Sequence, residues 1–599
     1  MESKTLSVRD EPVMGLLSSN RNESRPLDWL SQRVGVQIIL LLVFCSLLFV
    51  LGVGRWGLWD PDEPRYAEVA KEMVLNSKDW ILMHLNGRVY GDKPPLFFWA
   101  IALSAYLWGG FTSFAVRFSP ALFGTLTVLL TFFIGKRLYG SRTGFVSGLI
   151  LATSFEFAYL STRGNIDTTL TFFTTLSILC FLLWVQYSGQ GEASANPMGG
   201  LQFLGFYIGM ALATLAKGPV GFIIPLLVSL IYLAVQRDWK RIKGMRLIPG
   251  MLLFLVILLS WYLPAVLSGG RAYLQVTLLK HTVDAYAIGW THVRPFYYYF
   301  INFPTGFMPW TLFLPAGIFF ALSKREEGIG KEFLFLLVWF VSIFLFFSFS
   351  KGKRTLYLLP VYPAASVVVG NFWDRYISNP NRDSKGETWV SLAIYFLAGV
   401  LFFMGIVLYL IPVVSHFSID HTSRVSKEIL KGARIGENYL SYGPYGSYAP
   451  FIFLLLGLGI FLPLAQRLRY KTTVFLVIVA TVGVGYFYGT RFIFPEVDPY
   501  KSARFLSQEI QEVMKPGDKL AMYGGFAIGP YNFYTGIVPI LDIESDDEMV
   551  PFFRSAERVF CLIQNHQFEA LKKKDLGIPL HLIMRRMVGS KDIVVVSNQ

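Results

Sequence analysis

The sequence predicts a polytopic α-helical membrane protein of about thirteen transmembrane helices, with a small soluble α/β domain at its carboxyl end. Three observations predict it. Of the 599 residues, 53% are hydrophobic and 16% are charged, against about 45–50% and about 25% in a soluble domain. The apolar residues come in long blocks, and a bilayer core of about 30 Å needs about 20 of them in succession. From Arg491 onward the blocks stop and short strand-like runs take their place.

The blocks fall at 34–54, 115–135, 143–160, 169–187, 201–216, 219–235, 247–267, 299–322, 333–349, 355–371, 390–411, 448–465 and 472–489. The first follows a polar segment, 1–33, and no small-residue cleavage site follows it, so it is a span rather than a removed signal. The connections 136–142, 236–246 and 466–471 are rich in Lys and Arg, which by the positive-inside tendency places them, with segment 1–33, in the cytoplasm. The carboxyl terminus then lies outside. The segment PPLFFWAIALSAYLWGG, 94–110, is apolar but only 17 residues long, opens with two prolines and carries Trp and Tyr. If it crossed, the basic connections would face outward, so it is expected to be interfacial or re-entrant.

The tail beyond Arg491 carries 13 Lys/Arg and 14 Asp/Glu. Strand-like runs at Lys519–Tyr523, Arg558–Ile563 and Asp592–Val596 alternate with helix-like stretches at Lys501–Met514 and Gln567–Lys574, which predicts a soluble α/β domain over 490–599. The net charge of +14 therefore belongs to the membrane part. So few charges exclude disorder, collagen-like repeats and a nucleic-acid tail. Cys45, Cys180 and Cys561 are too scattered for a disulfide framework or a zinc site.

Charges at a membrane bundle are costly and by default mark function. The densest group is the connection after the first span, Arg55–Lys93, with seven acids and six bases. In WDPDEPRYAEVAKEM, Asp60 suits a helix N-cap, Pro61 the first helical residue and Glu63 a capping box. Asp62 has no such duty, and one helical turn brings it to Arg65 and Tyr66. Lys93 precedes two prolines, which hold it extended as a snorkelling anchor or as a ligand. Asp167, in RGNID, suits an N-cap or a second carboxylate on the same side. His281 and His292 form a loop pair with Asp284 near, and no HExxH zinc motif occurs. The loop SKGKRTLY, with Lys353, Arg354 and Tyr357, puts cations on the outer face, against the positive-inside tendency. It suits a phosphate or an anionic lipid headgroup.

At PDEPRYAEVAKEM, followed by LNGRVYGDKPPLFFW, the sequence resembles the C-type (GT-C) polyprenyl-phosphate-sugar-dependent glycosyltransferases, in the aminoarabinose transferase and protein O-mannosyltransferase-like branch. RGNIDTTL, KHTVDAYAIG, HVRPFYYY and SKGKRTLYLLP extend the resemblance over most of residues 34–370. It implies a bacterial inner-membrane enzyme whose glycosyltransferase domain is 34–489, with the motif-bearing outer loop 55–110 and the domain 490–599 extracytoplasmic. The enzyme would move a sugar from an undecaprenyl phosphate carrier to a lipid A-like, glycan or protein acceptor, inverting the anomeric centre.

The resemblance implies Asp62 and Asp167 as catalytic acids. Arg65 would set the position of Asp62 or bind substrate, Glu63 would bind substrate, and Tyr90 and Lys93 would approach the lipid phosphate. His281, Lys353, Arg354 and Tyr357 would line the donor cavity. Related enzymes carry Glu where this chain has Asp92, whose shorter side chain weighs against a divalent-metal site shared with His281. No cofactor is required, and a metal, if used, would rest on those two residues. The rival class is a secondary transporter or lipid flippase, which would show paired repeats with broken helices; none stands out in the sequence.

Overall fold

The computed structural model describes residues 32–187, 197–277, 292–323, 329–378, 384–416, 449–526, 528–574 and 576–599. The chain enters the bundle through α1 (Val34–Cys45), which ends in a π-turn, Ser46–Val50. The next connection carries α2 (Asp62–Lys71), a hairpin of β1 (His84–Leu85) and β2 (Arg88–Val89), and α3 (Leu96–Leu107). Then come α4 (Ser113–Tyr139), α5 (Ser141–Ala152), α6 (Phe155–Ser161), α7 (Asp167–Tyr187), α8 (Gly200–Lys217), α9 (Val220–Val235), α10 (Trp239–Gly244) and α11 (Leu247–Leu274). After α12 (Tyr298–Gly306), a 3-10 turn at Trp310–Phe313 leads into α13 (Leu314–Ser323). The bundle closes with α14 (Lys331–Phe349), a 3-10 helix at Thr355–Val361, α15 (Tyr362–Ser378), α16 (Ser384–His416), α17 (Ala449–Arg467) and α18 (Lys471–Tyr488).

Among the described residues, nine helices are long and apolar enough to cross a bilayer. The pairs α5 with α6 and α12 with α13 pass the same test together but bend by 70° and 106°. The runs at 34–54 and 219–235 form shorter apolar helices. Each predicted run is therefore helical, but thirteen unbroken spans are not reached. At about 1.5 Å per residue, the 12-residue α3 covers only about 18 Å, too little to cross. Hydroxyls inside the apolar segments close on their own helix: Thr125, Thr127 and Thr131 in α4 each donate to the carbonyl four residues back.

The helix ends sort by charge. Arg142 pairs with Asp374, Lys471 with Glu387, and Gln466 donates to Tyr376, which gathers the basic connections at one end. The loops carrying Asp62, Asp167 and Arg354 meet at the other.

Beyond α18, helical residues continue through a π-turn, Gly489–Ile493, into α19 (Phe494–Lys501) and then α20 (Arg504–Val513). The terminal sheet has strand order β4-β3-β5-β7-β6, built from β3 (Lys519–Tyr523), β4 (Leu541–Ile543), β5 (Val559–Gln564), β6 (His581–Val588) and β7 (Lys591–Ser597), with α21 (Gly529–Thr535), α22 (Asp546–Phe553) and α23 (Asn565–Lys574) between them. β3 runs parallel to β4 and β5; β7 runs antiparallel to β5 and β6. Successive residues of β5 alternate between two cores, Phe560 and Leu562 on one face, Cys561 and Ile563 on the other, so both faces of the sheet are covered. Cys45 and Cys180 are buried among apolar side chains, as expected.

This domain is bound to the loop that carries Asp62. Asp498 accepts from Gly57 N and Trp59 Nε1, each at 2.8 Å, and Ser502 Oγ donates to Leu58 O at 3.0 Å. Lys71 Nζ donates to Phe533 O at 3.1 Å. Asn86 lies at the hairpin tip with φ 57°. Its side chain donates to Ile540 O and accepts from Ile540 N and Asn532 Nδ2, at 2.8, 2.7 and 2.9 Å. A methyl at Gly529 would sit 3.1 Å from Arg65 Cα, so α21 rests almost directly on α2. Asn86→Ala removes these bonds and a residue tolerant of positive φ. It is expected to weaken the docking by about 1–3 kcal/mol and to expose 490–529 in limited proteolysis; wild-type resistance would count against this.

Candidate functional site

The first turn of α2 holds the central carboxylate. Asp62 Oδ1 accepts from Arg65 Nη2 at 2.6 Å and Oδ2 from Arg354 Nη2 at 2.7 Å. Helical spacing supplies the first arginine, and the turn ahead of Thr355–Val361 brings the second from 292 residues away. Burial pushes the Asp62 pKa up, but the charges of Arg354 and Arg65 outweigh it and hold it below the usual carboxylate range.

Asp60 is not the expected N-cap. Pro61 occupies that position without a side-chain bond, and Asp60 lies 3.5 Å from Lys591 of β7. Glu63 departs from a substrate contact. It is 2% exposed, and its carboxylate accepts from Arg117 Nε and Nη2 at 2.8 and 2.9 Å, from Trp59 N at 2.9 Å and from Gly164 N at 2.6 Å. Arg163 Nε adds an ion pair at 3.0 Å. Burial works to raise its pKa, but Arg117 and Arg163 lower it to about 2. Glu63 thus fixes the loop from beneath and positions Asp62 without facing the pocket.

Asp167 is released from capping because Asn165 Oδ1 accepts its backbone N–H at 2.7 Å. Its carboxylate pairs with Lys217 at the end of α8. Lys217 Nζ also lies 4.4 Å over the Tyr357 ring, which packs against Phe347. Lys93 stands near Lys217, Asp92, Arg65 and Asp167, and burial followed by repulsion from Lys217 lowers its pKa to about 8. Tyr90 is buried edge-on to Phe98, and its hydroxyl has no hydrogen-bond partner among the described residues. Arg65, Arg354, Lys93 and Lys217 therefore surround the carboxylates of Asp62, Asp167 and Asp92 in a partly buried cluster, an excess of positive charge suited to an anion.

Lys353 was expected to face that anion, but its Nζ is turned into its own loop and donates to Arg294 O at 3.0 Å and to Ser350 O. It braces the loop while its neighbour Arg354 reaches Asp62. His281 lies outside the described residues. Among those described, no three His, Cys, Asp or Glu side chains are grouped to hold a metal. Asp92 sits by the charges of Arg65 and Lys93, a cationic setting that does not fit a divalent ion.

A sequence model of the dolichyl-phosphate-mannose-protein mannosyltransferase family matches residues 34–279. A protein of Aquifex aeolicus is 28% identical over 506 residues, 82% of this chain and 92% of that one. The undecaprenyl phosphate-α-4-amino-4-deoxy-L-arabinose arabinosyl transferase 1 of Pseudomonas fluorescens is 33% identical over 340 residues, 55% of this chain. The match spans 58% of that relative's length. The crystal structure of ArnT from Cupriavidus metallidurans bound to undecaprenyl phosphate shares the fold, with TM-score 0.72 at 20% identity over 94% of this chain and 98% of that one.

Residues 34–279 carry the similarity to that mannosyltransferase family, and the chain has the fold of ArnT.

Two residues of this site are not among those the sequence singled out. Lys217 closes an apolar run just before Gly218-Pro219. Because α7 begins where α8 ends, an antiparallel pairing of these neighbours puts Lys217 against Asp167. Arg117 interrupts the apolar run 115–135, and an arginine there is itself a signal. The structure buries it fully against Glu63, the carbonyls of Val53, Trp56 and Gly57, and the Trp56 ring at 4.3 Å.

Proposed function

We infer that this glycosyltransferase transfers a sugar from a polyprenyl phosphate carrier, undecaprenyl phosphate in bacteria, to a lipid A-like acceptor, in one inverting displacement. The observation that carries it is the placement of Lys93, Lys217, Arg65 and Arg354 around Asp62 and Asp167 at one end of an apolar bundle. Breaking the anomeric C–O bond leaves charge on the carrier phosphate, and preorganised cations stabilise it as it develops. The arabinosyl transferase relative and the fold shared with ArnT support this donor class.

The acceptor follows from Asp62. The arginine pair that keeps it ionised also weakens it as a base, which favours an acceptor whose attacking oxygen is already ionised, such as a lipid A-like phosphate. Asp62 then chiefly orients; with a glycan or protein hydroxyl it would have to take a proton. The site and the terminal domain face away from the cytoplasm, on the outer side of the inner membrane, because the basic connections collect at the opposite end. A transporter is disfavoured: the paired carboxylates Asp62 and Asp167 lie at one end of the bundle, whereas transporter sites lie near mid-membrane.

Purified protein with synthetic undecaprenyl-phosphate sugars and a lipid A acceptor tests this, with mass spectrometry of the products. A mass gain on the acceptor with release of the free carrier phosphate is expected. Uptake into vesicles without any transfer would overturn it.

Lys93→Gln is expected to raise the donor KM about 10- to 100-fold, the value of a hydrogen bond to a charged group. The wild-type donor KM should also rise above pH about 8, as Lys93 loses its proton and the phosphate loses a cation. In the variant that limb should vanish. An unchanged limb would remove Lys93 from the phosphate site.

A further inference from the structure

The end of the bundle away from Asp62 holds a cavity of about 580 Å³. Its walls are the last turns of α4, α7 and α9, the start of α10 and the first turn of α14. Arg137, Arg241, Lys331, Asp238 and Glu332 supply its charges, while Leu182, Leu233 and Phe335 give it an apolar wall.

The charges do not cancel. Asp238 caps α10 by accepting from Arg241 N at 3.2 Å, and it pairs with Arg241 Nη1 at 3.0 Å. Arg241 Nε is nonetheless buried with no partner among the described residues. Arg137 uses its Nε on a neutral group, Gln186 Oε1, at 2.6 Å. Lys331 is exposed at the helix start. Among the described lining residues only Glu332 stands against these cations, so they keep a positive excess beside an apolar wall. A free anion would leave the wall unmatched, and a neutral lipid would leave the cations unmatched. A phosphate carried on a hydrocarbon chain satisfies both.

We propose that this cavity binds the phosphate head of an anionic glycerophospholipid, with an acyl chain against Leu182, Leu233 and Phe335. The 21 residues of α7 separate it from the Asp62 pocket by about 30 Å, so it is a second lipid site at the opposite face of the bilayer, and it does not depend on the donor assignment.

Native mass spectrometry of the detergent-solubilised full chain tests it. Wild type is offered phosphatidylglycerol or diacylglycerol with the same chains, each with and without excess inorganic phosphate. Retention of phosphatidylglycerol but not diacylglycerol is expected, undisturbed by inorganic phosphate. Both Arg137 and Lys331 are exposed, so the double variant Arg137→Gln/Lys331→Gln should fold and should bind phosphatidylglycerol about 30-fold more weakly. Equal retention of diacylglycerol would reduce the site to an apolar groove. Displacement by inorganic phosphate would make it a free-anion site, and unchanged binding by the double variant would remove these cations from it. Each of these three results overturns the proposal.

Discussion

Asp62→Asn is expected to lower kcat for sugar transfer by about 10² through lost orientation, and by more if a hydroxyl acceptor needs it as a base, with the carrier phosphate still bound. The sign of the binding effect follows from charge. Asp62 lies between Arg65 and Arg354 with Lys93 near, so removing its negative charge leaves the pocket more attractive to a phosphate. The substitution nearly preserves shape while releasing two arginines from a shared partner. Single-turnover transfer and donor retention should therefore separate, with transfer lost and retention equal or tighter. A hydroxyl acceptor should give an acid limb in kcat below the usual carboxylate range, which the Asn variant abolishes. An ionised phosphate acceptor should show no such limb. Full transfer by the variant would end the catalytic assignment of Asp62.

Arg117→Ala should cost about 3–5 kcal/mol of stability, the usual effect of breaking a buried ion pair from one side. The guanidinium is fully buried and bridges Glu63 to the carbonyls of Val53, Trp56 and Gly57. Its loss leaves those carbonyls unsatisfied and Glu63 with Arg163 as its remaining cation. Thermal unfolding in detergent would show the loss, and Arg117→Met with Glu63→Leu should recover part of it by removing both charges. An unchanged melting temperature in Arg117→Ala would show that the pair contributes nothing. The folded pKa of Glu63, about 2, lies below its ordinary value of 4.5. Its contribution is therefore fully present above pH about 4.5 and drains as pH falls toward 2.

The apolar runs were legible because each span repeats one simple demand, an unbroken stretch long enough for the bilayer. Asp62 with Arg65 was legible because a helix turns local spacing into contact. Arg354, Lys217 and Arg117 make their pairs across 292, 50 and 54 residues, and no local period encodes such distances. Lys353 and Arg354 look equivalent in sequence, yet one turn of loop sends the first into carbonyls and the second to Asp62. Asp167 was open in sequence between an N-cap and a second carboxylate, and the side chain of Asn165, two residues earlier, leaves it free for Lys217. In the terminal sheet, β5 and β7 stand out as buried apolar runs, whereas the two edge strands are less marked: β4 is only three residues long and β6 is interrupted by Arg585 and Arg586 and only its last residue is buried.

The contact of α21 with α2 has a temporal consequence. Asn86 and its partner Ile540 are 454 residues apart, so at about 5–20 residues per second a ribosome needs about 20–90 s to deliver the second after the first. Until then the hairpin beside α2 lacks the surface it rests on. The spans of the nascent chain are thus made before the loop that carries Asp62 gains this support, and the segment that supplies it is translated after all of them.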